Sequence, residues 1–164
     1  MKTFKNFITE AITEKLTTKE DIQKWLDEML IKNYSISSNL IVNVKGDVDL
    51  LVEKLTIIPV QFGVVTGNFI ISMNYLTSLK GSPNKVGGSF YCTDNKLESL
   101  EGSPKEVGGD FYCTFNKLKS LKGAPVKVGG SFYYYGNPDI KDEKLTTKVN
   151  GYIFGNLVKT IKNA

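Results

Sequence analysis

Arginine and histidine are both missing from this chain of 164 residues, and all 21 of its basic residues are lysine. Without imidazole there is no histidine general base, no Ser-His or Cys-His pair and no histidine metal ligand. Without guanidinium there is no bidentate clamp for phosphate or carboxylate groups. These absences remove much of the usual chemistry of catalysis, so we expect a protein that is not an enzyme and uses no cofactor.

Cysteine and long apolar runs are also scarce. Cys92 and Cys113 are too few for a disulfide framework or a four-ligand zinc site. We expect reduced thiols in the core, with a disulfide, a metal site or a catalytic thiol as the alternatives. No apolar run approaches the roughly 18 residues of a membrane span, and the first residues lack the pattern of a secretory signal. We therefore expect a soluble protein with no membrane partner.

Three copies of a 21-residue motif lie end to end at 76–96, 97–117 and 118–138. They share the pattern L-x-S-L-x-G-(S/A)-P-x-x-V-G-G-x-F-Y-(C/Y)-x-x-N. The period extends in both directions, because one position of the repeat holds valine in six successive copies. Residues that share such a position, 21 apart in sequence, are said to share a phase. The six valines are Val44, Val65, Val86, Val107, Val128 and Val149. The sequence therefore predicts six turns of a repeat protein, of which the outer turns are degenerate.

One repeat of this length cannot fold alone. Five buried Leu, Val or Phe side chains contribute on the order of 10 kcal/mol, whereas ordering 21 residues costs roughly 20–40 kcal/mol of backbone entropy. Each turn must therefore bury its apolar edge on the next, and the strand F-Y-C-T should pair in parallel with its copies. Phe90 and Cys92 should point inward, and Ser89, Tyr91 and Thr93 outward. The Gly-Gly pair before this strand is expected to form a positive-φ corner.

The strand and the residues after it resemble the leucine-rich repeat family. Residues 90–100 read F-Y-C-T-D-N-K-L-E-S-L, which is similar to L-x-L-x-x-N-x-L-x-x-L, and residues 111–121 repeat the match. The resemblance covers about residues 44–155 and implies a mainly β, short right-handed solenoid of about six turns with a parallel sheet. It also implies that one asparagine in each central turn bonds backbone groups of neighbouring turns. These are Asn74, Asn95, Asn116 and Asn137.

The return segment of each repeat is too short for a full helix, so we expect it to be extended or turn-like. The ends of the solenoid, at 34–155, need caps because an open turn exposes apolar side chains. Thr18 followed by Asp21 resembles a capping box, and apolar residues then recur at helical spacing, with Trp25 as a core anchor. We expect a helix at 18–32, within a helical N-terminal cap at 11–33.

The C-terminal cap is expected at 156–164. Leu157, Val158 and Ile161 are spaced as on one face of a helix, and we expect a short helix there.

The outward strand positions should form the concave face of the solenoid. Stacked turns would align their side chains into an aromatic stripe roughly 25 Å long, of a kind suited to protein interfaces. The candidate partner-binding residues are Ile70, Tyr91, Thr93, Tyr112, Thr114, Phe115, Tyr133, Tyr135 and Phe154. The alternative is that tyrosine is a good strand former whose ladder only stabilises the sheet. Stacking of single-stranded bases on these rings is a third option, which the lack of arginine disfavours.

Two phases of the repeat alternate in charge. They are Lys80, Glu101 and Lys122, and Lys85, Glu106 and Lys127. In-register stacking would place opposite charges side by side in neighbouring turns, where each exposed pair is worth roughly 0–1 kcal/mol. This local neutralisation argues against nucleic acid as a partner.

The first eleven residues read M-K-T-F-K-N-F-I-T-E-A, which is a short amphipathic helix by its spacing. The string is similar to the N-terminal capsid-targeting peptide of T-even phage internal head proteins, M-K-T-(Y/F)-x-x-F-I-x-E-A. In that family the peptide docks in the prohead core, and the viral maturation protease cleaves after the Glu of an (I/L)-x-E sequence. The resemblance implies a cleavable peptide at 1–10. Its targeting and cleavage residues are Phe4, Phe7, Ile8, Thr9, Glu10 and Ala11.

These patterns and resemblances predict a non-enzymatic phage protein that is packaged in the head and injected. It would bind and inhibit a host defence or regulatory protein, so it is expected in the host cytoplasm and the virion interior. One alternative is an unpackaged cytoplasmic leucine-rich repeat adaptor or inhibitor. The other is an enzyme that uses carboxylates such as Asp49 or Asp110, or lysines. The lack of a pocket on a flat sheet disfavours it.

Overall fold

The computed structural model describes residues 14–140, 145–156 and the backbone of 161–162. Within these residues the chain forms helix α1 (Lys19–Glu28) and fourteen short strands. In chain order the strands are β1 (Tyr34–Ile36), β2 (Ile41–Val44), β3 (Val48–Asp49), β4 (Gln61–Val65), β5 (Phe69–Ile70), β6 (Lys85–Val86), β7 (Phe90–Tyr91), β8 (Glu106–Val107), β9 (Phe111–Tyr112), β10 (Lys127–Val128), β11 (Phe132–Tyr133), β12 (Lys148–Val149), β13 (Tyr152–Phe154) and β14 (Ile161–Lys162).

The strands form two seven-stranded sheets. The first sheet has the order β1-β2-β4-β6-β8-β10-β12, and the second has the order β14-β13-β11-β9-β7-β5-β3. Apart from the antiparallel outer strands β1 and β14, all neighbours are parallel. They pair one 21-residue repeat apart, except that the register of β2 with β4 shifts by one residue between Val42 and Val44. Val86 thus pairs with Val65 and Val107. The chain is a β-solenoid of stacked turns of about 21 residues, as the period predicted.

Each sheet contains six successive parallel strands, which bound about five complete turns against the six predicted. The first sheet is an addition to the single parallel sheet expected from sequence. It is built from the return segment, whose two-residue strands, such as β6, are too short to show alternation. In the second sheet β7 is also shorter than the expected F-Y-C-T strand, because it ends at Tyr91.

Phenylalanine forms the centre of the core. One ring per turn stacks on the next, with centroids 5.6 Å apart for Phe69–Phe90, 5.2 Å for Phe90–Phe111 and 4.9 Å for Phe111–Phe132. All four rings are fully buried. Parallel register forces this arrangement, because residues of one phase lie at the spacing of neighbouring strands. The inward positions predicted for Phe90 and Cys92 are confirmed.

The Gly-Gly corner differs from the prediction. Gly87 and Gly88 do not have positive φ, so glycine is not required there for its conformation. It is required for space, since a Cβ on Gly108 would collide with the carbonyl oxygen of Gly87 in the preceding turn. Among the corner glycines only Gly46, in the first turn, has positive φ. Three of the other positive-φ glycines precede the Ser/Ala-Pro pair, at Gly81, Gly102 and Gly123, and the fourth is Gly136.

The asparagine ladder forms as the resemblance implied. Asn116 accepts a hydrogen bond from the Leu97 amide at 3.1 Å, and its side-chain amide donates to the Cys92 carbonyl at 3.0 Å. Both partners lie in the preceding turn. Asn95 makes the equivalent bonds to Leu76 and Ile71. Each asparagine therefore joins two turns through buried backbone groups.

The N-terminal helix is shorter than expected and covers the first turns. The Thr18 hydroxyl caps α1 by accepting from the Asp21 amide at 3.1 Å, as the capping box predicted. The helix ends before Leu30, which has left-handed φ. Its buried Trp25 ring lies 6.5 Å from the Phe62 ring, so the helix packs on the aromatic core. No helix among the described residues is long and apolar enough to cross a membrane.

The C-terminal helix prediction is wrong at Ile161. This residue lies in β14, which pairs antiparallel with β13 and covers that edge of the second sheet. A strand satisfies backbone groups that the last turn would otherwise leave open. Leu157 and Val158 lie outside the described residues.

Candidate functional site

The outward residues of the second sheet form a continuous stack of rings, which we call the tyrosine row: Tyr91, Tyr112, Tyr133 and Phe154. The centroids are 4.9, 4.3 and 4.7 Å apart in that order, and the planes of each pair lie within 7° of parallel. All four side chains are partly buried. Ile70 continues the row at its N-terminal end, since it pairs with Tyr91 in register.

The stacking decides which parts of these rings a partner could contact. Each inner ring has a neighbour on both faces, so its faces are covered and its edge and hydroxyl group remain at the surface. Bases of single-stranded nucleic acid bind by stacking on free ring faces. The row therefore fits protein contacts better than base stacking, although it also stabilises the sheet.

The hydroxyl of Tyr112 is fixed by its own strand. It donates to Asp110 Oδ2 at 3.2 Å. Partial burial, and then the negative charge of Asp110, raise the pKa of Tyr112 above its ordinary value. The phenol therefore stays protonated at neutral pH and remains a hydrogen-bond donor.

The threonines beside the row differ in exposure. Thr93 is partly exposed and its Oγ1 lies 2.9 Å from that of Thr114. Thr114 itself is 2% exposed, so its side chain supports the face from within. Phe115 and Tyr135 lie just beyond the strand ends and are exposed, with their rings in an edge-to-face arrangement 5.4 Å apart. Eight of the nine predicted partner-binding residues therefore reach the surface at least in part.

Phe115 has a backbone conformation that sequence reasoning missed. Its φ is +53°, and the same left-handed conformation occurs at the equivalent positions Val52, Met73 and Asp94, with Gly136 completing the series. A bulky residue in this region costs about 1–2 kcal/mol relative to glycine. The glycine at position 136 was the available signal, since it shares the phase of Phe115.

A second ladder that the sequence analysis missed lies at the corner between the sheets. In five successive turns a short polar side chain accepts a hydrogen bond from the backbone N–H of the residue 21 positions later, in the next turn. Asn68, for example, accepts from the Ser89 amide at 2.8 Å, and Ser89 accepts from the Asp110 amide at 2.9 Å. The signal was the composition of this phase, which is Asp47, Asn68, Ser89, Asp110 and Ser131.

The charge ladders confirm the stacking register. Lys85 Nζ lies 2.9 Å from a Glu106 carboxylate oxygen, and Lys122 Nζ lies 2.8 Å from Glu101. Hydrogen bonds from these lysines lower the pKa of both carboxyl groups. A third pair, Lys119–Glu98 at 2.6 Å, was not predicted. All are exposed, so they define register more than they add stability.

Both thiols are buried in the core as expected. Cys92 Sγ donates to the Tyr112 carbonyl at 3.3 Å, and Cys113 Sγ donates to the Tyr133 carbonyl at 3.4 Å. Burial raises the pKa of each thiol well above its ordinary value. They are free cysteines in the structure and are not available as nucleophiles.

The residues predicted for targeting and cleavage, 4–11, lie outside the described residues. In the part of the chain that the structure describes, no three His, Cys, Asp or Glu side chains cluster closely enough to hold a metal ion.

Comparison of the chain with protein-family models, curated proteins and solved structures found no match.

Proposed function

We propose that this β-solenoid is a non-enzymatic binding protein that engages a protein partner through the tyrosine row and the side chains around it. The observation that carries the proposal is the row itself, which aligns ring edges and hydroxyl groups along a rigid sheet. Tyrosine binds well at protein interfaces because a large ring with few rotatable bonds loses little entropy when it is held.

We further infer that the repeat is of the leucine-rich repeat type. The buried asparagine that joins two turns and the leucines that follow it support this assignment. The two-sheet turn departs from that family's usual form, because its return segment here makes a strand and no helix.

The packaging hypothesis rests on the match of residues 1–11 to capsid-targeting peptides. In this proposal the phage protein enters the prohead, is trimmed after Glu10, and is injected to inhibit a host defence or regulatory protein.

Binding is tested by affinity capture of host proteins with chain 11–164, followed by titration of the recovered partner. Replacement of Tyr91, Tyr112 and Tyr133 by Phe keeps the stacked rings and removes the hydroxyl groups. We expect this triple variant to bind at least about tenfold more weakly and to unfold near the wild-type midpoint. Tyr75→Phe, which removes the hydroxyl group of an exposed ring outside the row, is the control. Equal partner affinity of wild type and triple variant would refute the assigned face.

Packaging is tested by mass spectrometry of purified virions from an infection that produces the protein. The expected peptide begins at Ala11. Absence of the protein from virions, or its presence with residues 1–10 intact, would refute packaging and favour the unpackaged cytoplasmic adaptor. Deletion of residues 1–10 gives a second readout, since a detachable signal leaves the unfolding midpoint unchanged, whereas a structural cap lowers it.

A further inference from the structure

Two columns of exposed side chains flank the buried asparagine ladder, and we call them together the bend ridge. The first column is Val52, Met73, Asp94, Phe115 and Gly136, and the second is Lys54, Tyr75, Lys96, Lys117 and Pro138. All ten residues are exposed. The side chains of Met73, Tyr75 and Phe115 are about half exposed, at 53%, 49% and 55%. The ridge thus carries much of the large apolar surface that the described residues expose.

The first column keeps these apolar side chains in an unfavourable backbone conformation. The angle φ is 58° at Val52, 57° at Met73 and 53° at Phe115. Glycine or asparagine would adopt this left-handed conformation with less strain. Gly136 shows that glycine is accepted at this phase. Strained and exposed apolar residues are typical of contact surfaces, because neither feature helps the isolated chain.

The chemistry of the two columns is complementary turn by turn. The pairs across the ladder are Met73 with Tyr75, Asp94 with Lys96, and Phe115 with Lys117. These are a thioether with a ring, a carboxylate with an ammonium, and a ring with an ammonium. The Lys96 amine already lies 4.8 Å from the centroid of the Tyr75 ring, so the second column accommodates cation–π contact. Asp94 and Lys96 form no ion pair with any described residue.

We propose that the bend ridge is the interface of a homodimer whose twofold axis runs parallel to the solenoid axis. This symmetry places each turn beside the same turn of the second copy and exchanges the columns. Met73 then faces Tyr75 of the second copy, Asp94 faces its Lys96, and Phe115 faces its Lys117. A twofold axis perpendicular to the solenoid axis and in the plane of the interface would instead pair each column with itself. At the turn that holds Asp94, it would set Asp94 against Asp94 and Lys96 against Lys96, which is unfavourable.

The size of the ridge sets the expected strength of the dimer. Ten residues per copy are fewer than the roughly 20–30 of a standard interface, so we expect dissociation in the micromolar range. The inner rings of the tyrosine row are not among the ridge residues, whereas Phe115 belongs to both surfaces. The two proposals are tested by different variants, at Asp94 and Lys96 for the dimer and at the three tyrosines for the host protein, so either can fail without the other.

Sedimentation velocity of the full chain, from about 1 to about 500 μM, tests the dimer. We expect wild type to pass from monomer to dimer over this range. Asp94→Lys and Lys96→Asp should each raise the dissociation constant at least about tenfold, because like charges then face each other. The double variant exchanges both charges and should return to within about threefold of wild type.

Two controls separate the interface from general effects of charge and folding. Glu98→Lys and Lys119→Glu change the same charges outside the ridge and should leave dimerisation unchanged. Met73→Asn with Phe115→Asn should abolish the dimer while keeping the thermal unfolding midpoint near that of wild type. A wild-type monomer at all concentrations, no recovery in the exchanged variant, or equal loss in the controls would each overturn the proposal.

Discussion

The rings of Tyr112 and Tyr133 lie parallel, with centroids 4.3 Å apart and 4° between their planes. This contact joins residues 21 positions apart in sequence, and it repeats along the row because every turn adds one parallel strand. The same rings that are proposed to meet a partner therefore also hold neighbouring turns together. Stability and binding at this face can be separated only by variants that keep the rings.

Removal of one inner ring tests the structural part of that role. Tyr112→Ala should lower the free energy of unfolding by about 2 kcal/mol, because the ring has stacked neighbours on both faces. Tyr112→Phe should cost about 0.5 kcal/mol, since it keeps the ring and loses the hydrogen bonding of the hydroxyl to Asp110 and Tyr133. Urea unfolding measures both values. If Tyr112→Ala were as stable as wild type, the ring stack would contribute nothing to the fold.

The period alone was sufficient to predict the stacked turns and several contacts between them. Side chains of one phase become spatial neighbours, so the Lys85–Glu106 pair and the Tyr91–Tyr112 stack followed from spacing. The role of Asn116 needed more than spacing, because it came from the resemblance to leucine-rich repeats. Its bonds in the structure agree with that role.

The remaining features depended on geometry that a single repeat does not display. Gly108 looks like a conformational glycine in sequence, whereas its function is to let two backbones approach, which only the neighbouring turn reveals. Ile161 lies in a strand because the edge of β13 is available for pairing, although the spacing of the apolar residues around it predicts a helix. The left-handed φ of Phe115 is opposed by its own side chain, so local propensity predicts the wrong conformation.

Loss of one asparagine should weaken the fold strongly. Asn116→Ala leaves the buried Leu97 amide without its side-chain acceptor and removes the shorter of two side-chain hydrogen bonds to the Cys92 carbonyl, so we expect a loss of about 2–4 kcal/mol. Asn84→Ala is the control, because that side chain is exposed, and it should change stability by less than about 0.5 kcal/mol. Chemical denaturation compares the two. Similar losses in both variants would contradict the structural role of the ladder.

A matched pair of glycine variants separates close approach from backbone conformation. Gly108→Ala should lower stability by about 3 kcal/mol or more, since its Cβ would meet the backbone of Gly87. Gly46→Ala has open space around the new Cβ but a φ of +125°, so only conformational strain of about 1–2 kcal/mol is expected. The thermal unfolding midpoints of the two variants show which of them is less stable. The reverse order would contradict the packing at the corner.

The charge ladders should make stability fall in acid. Hydrogen bonds from Lys119, Lys122 and Lys85 lower the pKa of Glu98, Glu101 and Glu106 below the ordinary 4.5. The ionised forms thus favour folding above pH 4.5, and this contribution is lost as pH falls through the folded-state pKa values. The dependence of the unfolding free energy on pH should weaken in about 1 M salt, because exposed ion pairs are screened. Replacement of the three glutamates by Gln should flatten this part of the unfolding profile, and an unchanged profile would count against the ladder.

The buried thiols should make stability fall in alkali. Burial raises the pKa of Cys92 and Cys113, so the folded chain keeps both protons above pH 9, the ordinary value, while the unfolded chain releases them. The unfolded state then binds fewer protons, and stability declines by about 1.4 kcal/mol per pH unit for each thiol. Cys92→Ala with Cys113→Ala should be less stable at neutral pH and decline more slowly above pH 9. A thiol reagent should label wild type only at the rate of unfolding, since neither sulfur reaches solvent in the folded chain. Rapid labelling of the native protein, or identical alkaline slopes in the two proteins, would contradict the buried position of the thiols.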